Sequence, residues 1–170
     1  MTLTAAEQAF GAQLPHRRME EWRWTDLRAR IDKPYPANQN VAASEKDVAR
    51  LLALSPFAKL TKHRIVFVNG SLDQAHSNFE GLTFELGAQS SSVDDPVIHL
   101  NTAIDPAGLT LRFEATMDVP VEIIHVATQG AARAMALRNR IEVGEGASAT
   151  IIETFVGEGD YVLNAVTEIQ

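Results

Sequence analysis

The hydrophobic pattern of the chain is clearest in residues 109–170, where apolar and polar side chains alternate in short runs. Leu109, Leu111 and Phe113 alternate with polar neighbours, and this period of two predicts a β-strand with one face in a core. Four further runs of the same character follow, at residues 121–127, 135–143, 150–156 and 161–169. This part of the chain is therefore predicted to be wholly β.

Glycine turns separate these predicted strands. Val-Gly-Glu-Gly occurs at 143–146 and again at 156–159, and we interpret it as a turn, because a phosphate-binding loop would need a following helix and a lysine. Recurring strands closed by such turns are typical of a solenoid, although an antiparallel sandwich or meander has similar spacing. The run stops at 167–170 without a turn, helix or polar cap, which favours a solenoid truncated at its C-terminal end.

Residues 1–62 are predicted to form a helical N-terminal region. Thr4 and Glu7 fit a capping box, and a helical apolar pattern follows until Pro15. A second helix is predicted after Ser44, and the stretch 31–43, rich in proline and asparagine, predicts an exposed connection.

Residues 63–108 are predicted to form a mixed α/β connecting region. The β-prone run 64–68 ends in Asn69-Gly70, the preferred pair for a type I′ hairpin turn. A short helix is predicted at 98–103. The third region, residues 109–170, would then be the first coils of the solenoid.

Both tryptophans lie in the unusual segment 14–27. On a helix Trp22 and Trp24 would point about 200° apart, so we predict that one anchors this segment to the core and the other packs over a second element or a rim. Because both lie beside arginines, a binding hot spot or a base-stacking platform is the alternative. The five arginines of residues 17–30 alternate with acidic residues, which predicts an ion-paired, solvated face.

Composition narrows the function classes. The net charge is −7, which argues against a nucleic-acid-binding surface. The absence of cysteine excludes disulfides, thiolate zinc sites and cysteine-ligated iron–sulfur clusters from this sequence. The first residues lack the basic region and apolar run of a signal peptide, so none is expected, and no apolar run is long enough to span a bilayer. We therefore expect a cytoplasmic protein that binds neither nucleic acid nor membrane.

No catalytic, cofactor-binding or metal-binding residue is assigned. The five histidines have no metal-binding spacing, and His125, in an apolar strand, is interpreted as a core histidine. Asp94-Asp95 is interpreted as part of a turn. Glu153 is the one carboxylate flanked by large apolar residues, and a strand would point it outward.

Several motifs together resemble a known family. They are 14–18 (Leu-Pro-His-Arg-Arg), 20–27 (Glu-Glu-Trp-Arg-Trp-Thr-Asp-Leu), 66–70 (Val-Phe-Val-Asn-Gly), 100–103 (Leu-Asn-Thr-Ala), Arg138-Asn139, 145–147 with Glu153-Thr154, and 164–168 (Asn-Ala-Val-Thr-Glu). In this order they resemble SufD, a subunit of the bacterial Suf complex for iron–sulfur cluster assembly. The paralogous SufB shares the β part, but the double-tryptophan segment is more similar to SufD. Leu137 stands where the family pattern has proline.

The resemblance implies a right-handed parallel β-helix behind a helical region, and a non-enzymatic scaffold with SufB and SufC as partners in the full-length protein. The family runs to about twice this length, and its SufC-docking region and functional residues lie in the later part. We therefore expect an N-terminal fragment that binds no cofactor or cluster and does not bind SufC.

Three further expectations concern association and alternative functions. The uncapped C-terminal strands predict a homodimer that pairs edge to edge. The alternative functions are a carbohydrate-active β-helix enzyme and a stand-alone β-sandwich interaction module. The enzyme would need clustered charges on one solenoid face, whereas the charges predicted to point outward are mixed in sign and not clustered: Arg112, Glu114, Glu122, Arg138, Arg140 and Glu142.

Overall fold

The computed structural model describes residues 3–37 and 41–170, so residues 38–40 of the predicted 31–43 connection lie outside the described residues. The helices are α1 (Ala5–Phe10), α2 (Leu27–Arg30), α3 (Glu45–Leu52) and α4 (Pro96–Ala103), with a 3-10 helix at Glu20–Trp22. The strands are β1 (His63–Val68), β2 (Ser71–Leu72), β3 (Thr83–Leu86), β4 (Leu109–Phe113), β5 (Val121–Ala127), β6 (Arg133–Val143), β7 (Ile151–Gly157) and β8 (Tyr161–Ile169). None of the helices in this part of the chain has the length and apolar character needed to cross a membrane.

Two local features predicted from the sequence, a helix cap and a hairpin turn, are confirmed, because each depends on hydrogen bonds or backbone angles within a few residues. The Thr4–Glu7 capping box closes the first turn of α1, although the helix ends at Phe10 because Gly11 adopts a left-handed φ of 66°. Asn69 and Gly70, with φ of 51° and 84°, form the two-residue turn of the β1–β2 hairpin, as a type I′ turn requires.

The strands form two four-stranded sheets, in the orders β2-β1-β5-β7 and β3-β4-β6-β8. From β4 onward, consecutive strands alternate between the sheets, so each strand pairs in parallel with the strand two positions along the chain. Among the strands of the described residues, β2 and β3, each at the edge of its sheet, are the ones that pair in the antiparallel direction.

The core lies between the sheets, and helices cover their outer faces. Inner side chains such as Phe67, Ile123 and Leu137 meet between the sheets. Residues of α3 cover the outer face of β1 and β5, and α1 and α4 cover the outer face of β6 near Ala134 and Ala136. Because both faces are covered, β5 is buried along its whole length.

The predicted right-handed parallel β-helix, truncated at its C-terminal end, is wrong. Both sheets mix parallel and antiparallel strands, and helices pack on them, so the architecture is α/β with two mixed sheets. The antiparallel sandwich or meander is not found either, because most strand pairs are parallel. The assignment of residues 109–170 to the first coils of a β-helix is corrected with it, since β1 and β3, from residues 63–108, pair directly with β5 and β4. Alternation identifies a strand and its buried face but not the direction in which it pairs.

Candidate functional site

The most distinctive surface is the edge formed by β7 and β8, which we call the edge face. In the described chain β7 pairs only with β5 and β8 only with β6, so both strands leave one side of their backbone open. Neither strand contains lysine or proline, the residues with which proteins commonly protect an open edge. Phe155 and Ile169 are 54% and 72% exposed. This surface can accept a further β-strand.

A column of aromatic rings runs from the core to the edge face. Phe67, His125 and Phe155 occupy matched positions on β1, β5 and β7. The ring of His125 stacks on Phe67 with a centroid distance of 5.7 Å and on Phe155 with a distance of 4.7 Å. Phe67 and His125 are buried while Phe155 is half exposed, so the column ends at the edge face.

Glu153 points between the sheets toward this column, and not outward as a strand could also place it. It is paired in register with Ile123, a core residue, and therefore shares the inner face. His125 Nε2 lies 2.7 Å from Glu153 Oε1, and the Thr167 hydroxyl on β8 donates to Glu153 Oε2 at 3.2 Å. The carboxylate therefore joins the two strands of the edge face. The interpretation of His125 as a buried, hydrogen-bonded core histidine is confirmed.

The hydrogen bonds of Glu153 also change its acidity. Burial by itself would raise the pKa of the carboxyl, but the hydrogen bond and charge of His125 and the bond from Thr167 outweigh burial and lower the pKa of Glu153 below its ordinary value. On the far side of the ring, His125 Nδ1 is buried without a hydrogen-bond partner in the described residues.

We expect Glu153 to stabilise the fold at neutral pH and to lose this effect in acid. Its pKa is lowered by folding, so its contribution is complete above its unfolded pKa of about 4.3 and fades as the pH falls through the lower folded value. Glu153→Gln should cost about 1 kcal/mol at pH 7, because the pair is partly exposed, and less as the pH falls below about 4. Urea unfolding across this pH range checks the prediction, with Glu145→Gln in an exposed turn as the control. A loss that does not depend on pH would contradict it.

The other residues singled out in the sequence are dispersed. Asp95 caps α4 by accepting from Val97 N at 2.7 Å, and Asp94 is exposed beside His99, so the two aspartates lie in the loop that leads into α4 and not in a turn. The two Val-Gly-Glu-Gly segments form turns, with Gly146 and Gly159 at positive φ. Trp22 is partly buried, but Trp24 is 86% exposed, so packing as the role of Trp24 is wrong.

Sequence reasoning missed a buried polar cluster around Glu122. It was expected on an outward, mixed-charge face, but it is fully buried, 3.0 Å from Arg64 Nε, and accepts from Thr154 Oγ1 at 2.9 Å and from Ser55 Oγ. Arg138 was expected on the same face and is 5% exposed. No periodic signal distinguishes these positions, because the helices and loops that cover them are distant in sequence.

A groove of about 480 Å³ lies between α3 and the β1–β2 hairpin. His76 in its wall lies 2.9 Å from Asp73 Oδ2 and 3.1 Å from Glu45 Oε1. Burial would lower the pKa of His76, but these two carboxylates outweigh it and raise the pKa. The histidine thus ties the first turn of α3 to the segment after β2.

Within residues 3–37 and 41–170, no group of three or more histidine, aspartate or glutamate side chains is placed to hold a metal ion. Comparison with known proteins adds no assignment: no protein-family model matches the sequence, and no curated protein matches it.

Proposed function

We propose that this chain is a non-enzymatic scaffold of the SufD type, which works in the cytoplasm in a SufB–SufC–SufD complex for iron–sulfur cluster assembly. The observation that carries the proposal is the edge face, where two neighbouring strands leave backbone donors and acceptors open to another chain. The cluster would be the cargo of the complex, and no residue of this chain is given the role of a ligand. The proposal rests on the motifs and the edge face, not on the β-helix that the resemblance implied.

Three of the motifs that resemble SufD contact one another behind the edge face, and these contacts support the proposal. Asn101 Nδ2 donates to the carbonyl oxygens of Leu137 and Asn164 at 3.0 and 2.8 Å. Arg138 donates to the Thr102 hydroxyl at 2.7 Å. Three motifs that are far apart in sequence therefore meet where α4 packs on β6 and β8. Buried polar networks of this kind hold elements in one arrangement, which is what a scaffold needs behind its interface.

The backbone orientation identifies the open positions of β8. Gln170 N donates to Ile141 O, and Val143 N donates to Gln170 O, both at 2.9 Å. Even-numbered residues of this strand therefore turn their backbone groups toward β6. The backbone N–H and C=O groups of successive strand residues point to opposite sides. The backbone groups of Leu163, Ala165 and Thr167 therefore point away from β6, toward the open side of the sheet. A strand of another chain can pair with these residues, in the manner of β-strand addition.

In the absence of partners we expect the edge face to pair with itself in a twofold dimer. Ala165→Pro removes an outward N–H and leaves the bonds to β6 intact, so it should weaken dimerisation at least about tenfold, or ~1.4 kcal/mol, without unfolding the chain. Val166→Pro is the matched control, because its N–H faces β6 and its loss should destabilise the fold itself. Analytical ultracentrifugation at tens of micromolar checks this. A monomeric wild type, or a dimer that tolerates Ala165→Pro, would refute edge pairing.

The assignment to the Suf complex has its own test. A tagged full-length gene product, expressed in its native host, should co-purify with SufB and SufC, and Ala165→Pro should reduce the recovery of SufB. Recovery of neither subunit would overturn the assignment even if the dimer is real. In that case a stand-alone interaction module would explain the edge face.

The alternative function as a carbohydrate-active enzyme is not supported, because that hypothesis depended on a β-helix fold. It also needed clustered charges on one face. The outward charges instead pair with each other: Arg112 lies 2.7 Å from Glu142 and 3.1 Å from Glu85, and Arg140 lies 3.5 Å from Glu168.

A further inference from the structure

Trp24 lies almost fully in solvent and is held there by its local backbone. It follows the 3-10 helix Glu20–Trp22, and Thr25 N donates to Trp22 O at 2.9 Å. The Asp26 side chain then caps α2 by accepting from Ala29 N at 3.1 Å. The Arg23 guanidinium lies 4.9 Å from the centroid of the indole ring. Tryptophan and arginine are each enriched among the residues that contribute most to binding at protein interfaces, and the guanidinium over the indole is a cation–π contact.

Several arginines of the segment that carries this tryptophan have no carboxylate partner among the described residues. In the described chain Arg17 pairs with Asp26 at 3.0 Å, but Arg18, Arg23 and Arg30 form no ion pair. The predicted ion-paired face is therefore only partly realised. Residues 16–30 carry five arginines against three carboxylates, a local charge of +2 in a chain of net charge −7.

Arg23, Trp24 and Arg30 are among the residues that line an open cavity of about 420 Å³, which we call the tryptophan–arginine cavity. Asp26 also lines the cavity, but Arg17 Nε and Ala29 N occupy its two oxygens. The cavity therefore offers two guanidinium groups without carboxylate partners beside an apolar ring.

The segment that carries Trp24 is held in place by hydrogen bonds and an ion pair to residues 7–15. Arg28 N donates to Pro15 O at 3.1 Å, and its guanidinium lies 3.2 Å from the buried carboxylate of Glu7. Glu7 in turn accepts from Leu14 N at 3.0 Å. Because these residues are packed, partner binding does not have to order the segment that carries Trp24.

We propose that the tryptophan–arginine cavity binds an acidic, partly apolar segment of a partner protein. Carboxylates of the segment would pair with Arg23 and Arg30, and an apolar side chain would cover the indole ring. Charge complementarity favours a short acidic segment, because at physiological salt screening limits electrostatic attraction to charges within about 8 Å of the ligand. A long nucleic acid would also meet Glu20, Glu21 and the acidic remainder of the chain. The proposal involves none of the residues of the edge face.

A defined probe tests the proposal: a fluorescein-labelled peptide of twelve residues in which aspartate and glutamate alternate with leucine and phenylalanine. Fluorescence anisotropy should give saturable binding that weakens when the salt concentration is raised. Trp24→Ala and Arg30→Glu should each weaken binding at least tenfold. Lys59→Glu, an equal charge reversal at another exposed site, should change it less than twofold. Trp24→Ala should keep the denaturant midpoint of the wild type, because its side chain is exposed.

Three results would overturn the proposal: no saturable peptide binding, equal binding by wild type, Trp24→Ala and Arg30→Glu, or tighter binding of a single-stranded oligothymidylate of the same length. The Ala165→Pro variant separates this surface from the edge face. It should bind the peptide as the wild type does, and loss of binding in that variant would place the peptide on the edge face instead.

Discussion

Glu122→Ala is expected to destabilise the chain by about 3–5 kcal/mol, as the removal of one partner from a buried ion pair does. The carboxylate is fully buried and holds Arg64, whose Nη2 is also buried and has no hydrogen-bond partner in the described residues. Its loss also removes the acceptor for the hydroxyls of Ser55 and Thr154. The partly buried guanidinium of Arg64 and two hydroxyl donors would lose their common acceptor.

A surface pair in the same protein provides the control for Glu122. Arg112 and Glu142 lie at an even shorter distance, 2.7 Å, but both side chains are about one-third exposed. Glu142→Ala should therefore cost less than about 1 kcal/mol. Chemical denaturation of both variants measures the difference, and Glu122→Leu combined with Arg64→Met should cost less than Glu122→Ala alone. Equal losses for Glu122→Ala and Glu142→Ala would show that burial does not set the strength of the buried pair.

Gly108→Ala is expected to cost at least about 3 kcal/mol, at the upper end of the range for overpacking. A Cβ atom at this position would lie 1.8 Å from the carbonyl oxygen of Arg138 and 2.7 Å from its carbonyl carbon. Both atoms belong to the backbone of β6, which is fixed next to Gly108 by the bond from Arg138 N to Ala107 O at 2.8 Å. The clash therefore cannot be relieved by rotating a side chain.

Gly144→Ala is the matched control for Gly108. Its nearest atom would be Glu114 Oε2 at 3.0 Å, the end of an exposed side chain that can move away. This variant should lose less than about 1 kcal/mol. Denaturant midpoints of the two variants test the contrast. A Gly108→Ala protein as stable as the wild type would mean that the backbone of β6 lies farther from Gly108 than it does in this structure.

The elements that could be predicted are those decided within a few residues. The capping box of Thr4 and Glu7 closes over three residues, and the Asn69-Gly70 turn needs only two positive φ angles. The strands of residues 109–170 were also predictable, because alternation reports which side chains share a face. Each of these signals is contained in one short stretch of chain.

The direction of strand pairing could not be predicted in the same way. The β-helix was favoured because the strands after Leu109 recur with glycine turns between them, and those strands do pair in parallel. The antiparallel additions of β2 and β3 come from a part of the chain that the periodic pattern does not include. A repeat within residues 109–170 therefore does not predict the direction in which strands from residues 63–108 pair with the same sheets.

Side-chain environments in the candidate sites depended on contacts between distant residues. Alternation places Glu153 on one face of β7, but only the pairing with β5 shows that this face points inward to His125. Trp24 was expected to pack because helical geometry was assumed for its segment. The segment is instead broken into a 3-10 helix and α2, and the turn between them directs the ring outward.

By itself, the sequence determined the strands, the helix caps, the hairpin turn and the acidic character of the chain, because each depends on residue types at short spacing. Only the tertiary structure decided that the sheets are mixed, that Glu122 is buried, and that β7 and β8 form one open edge. These features arise from contacts between residues that are not close in sequence. Arg64 and Glu122, on neighbouring strands of one sheet, are 58 positions apart, and Glu153 and Thr167, on strands of different sheets, are 14 positions apart. Local periodicity carries no information about such contacts, since the same pattern of alternation fits a buried face and an exposed one.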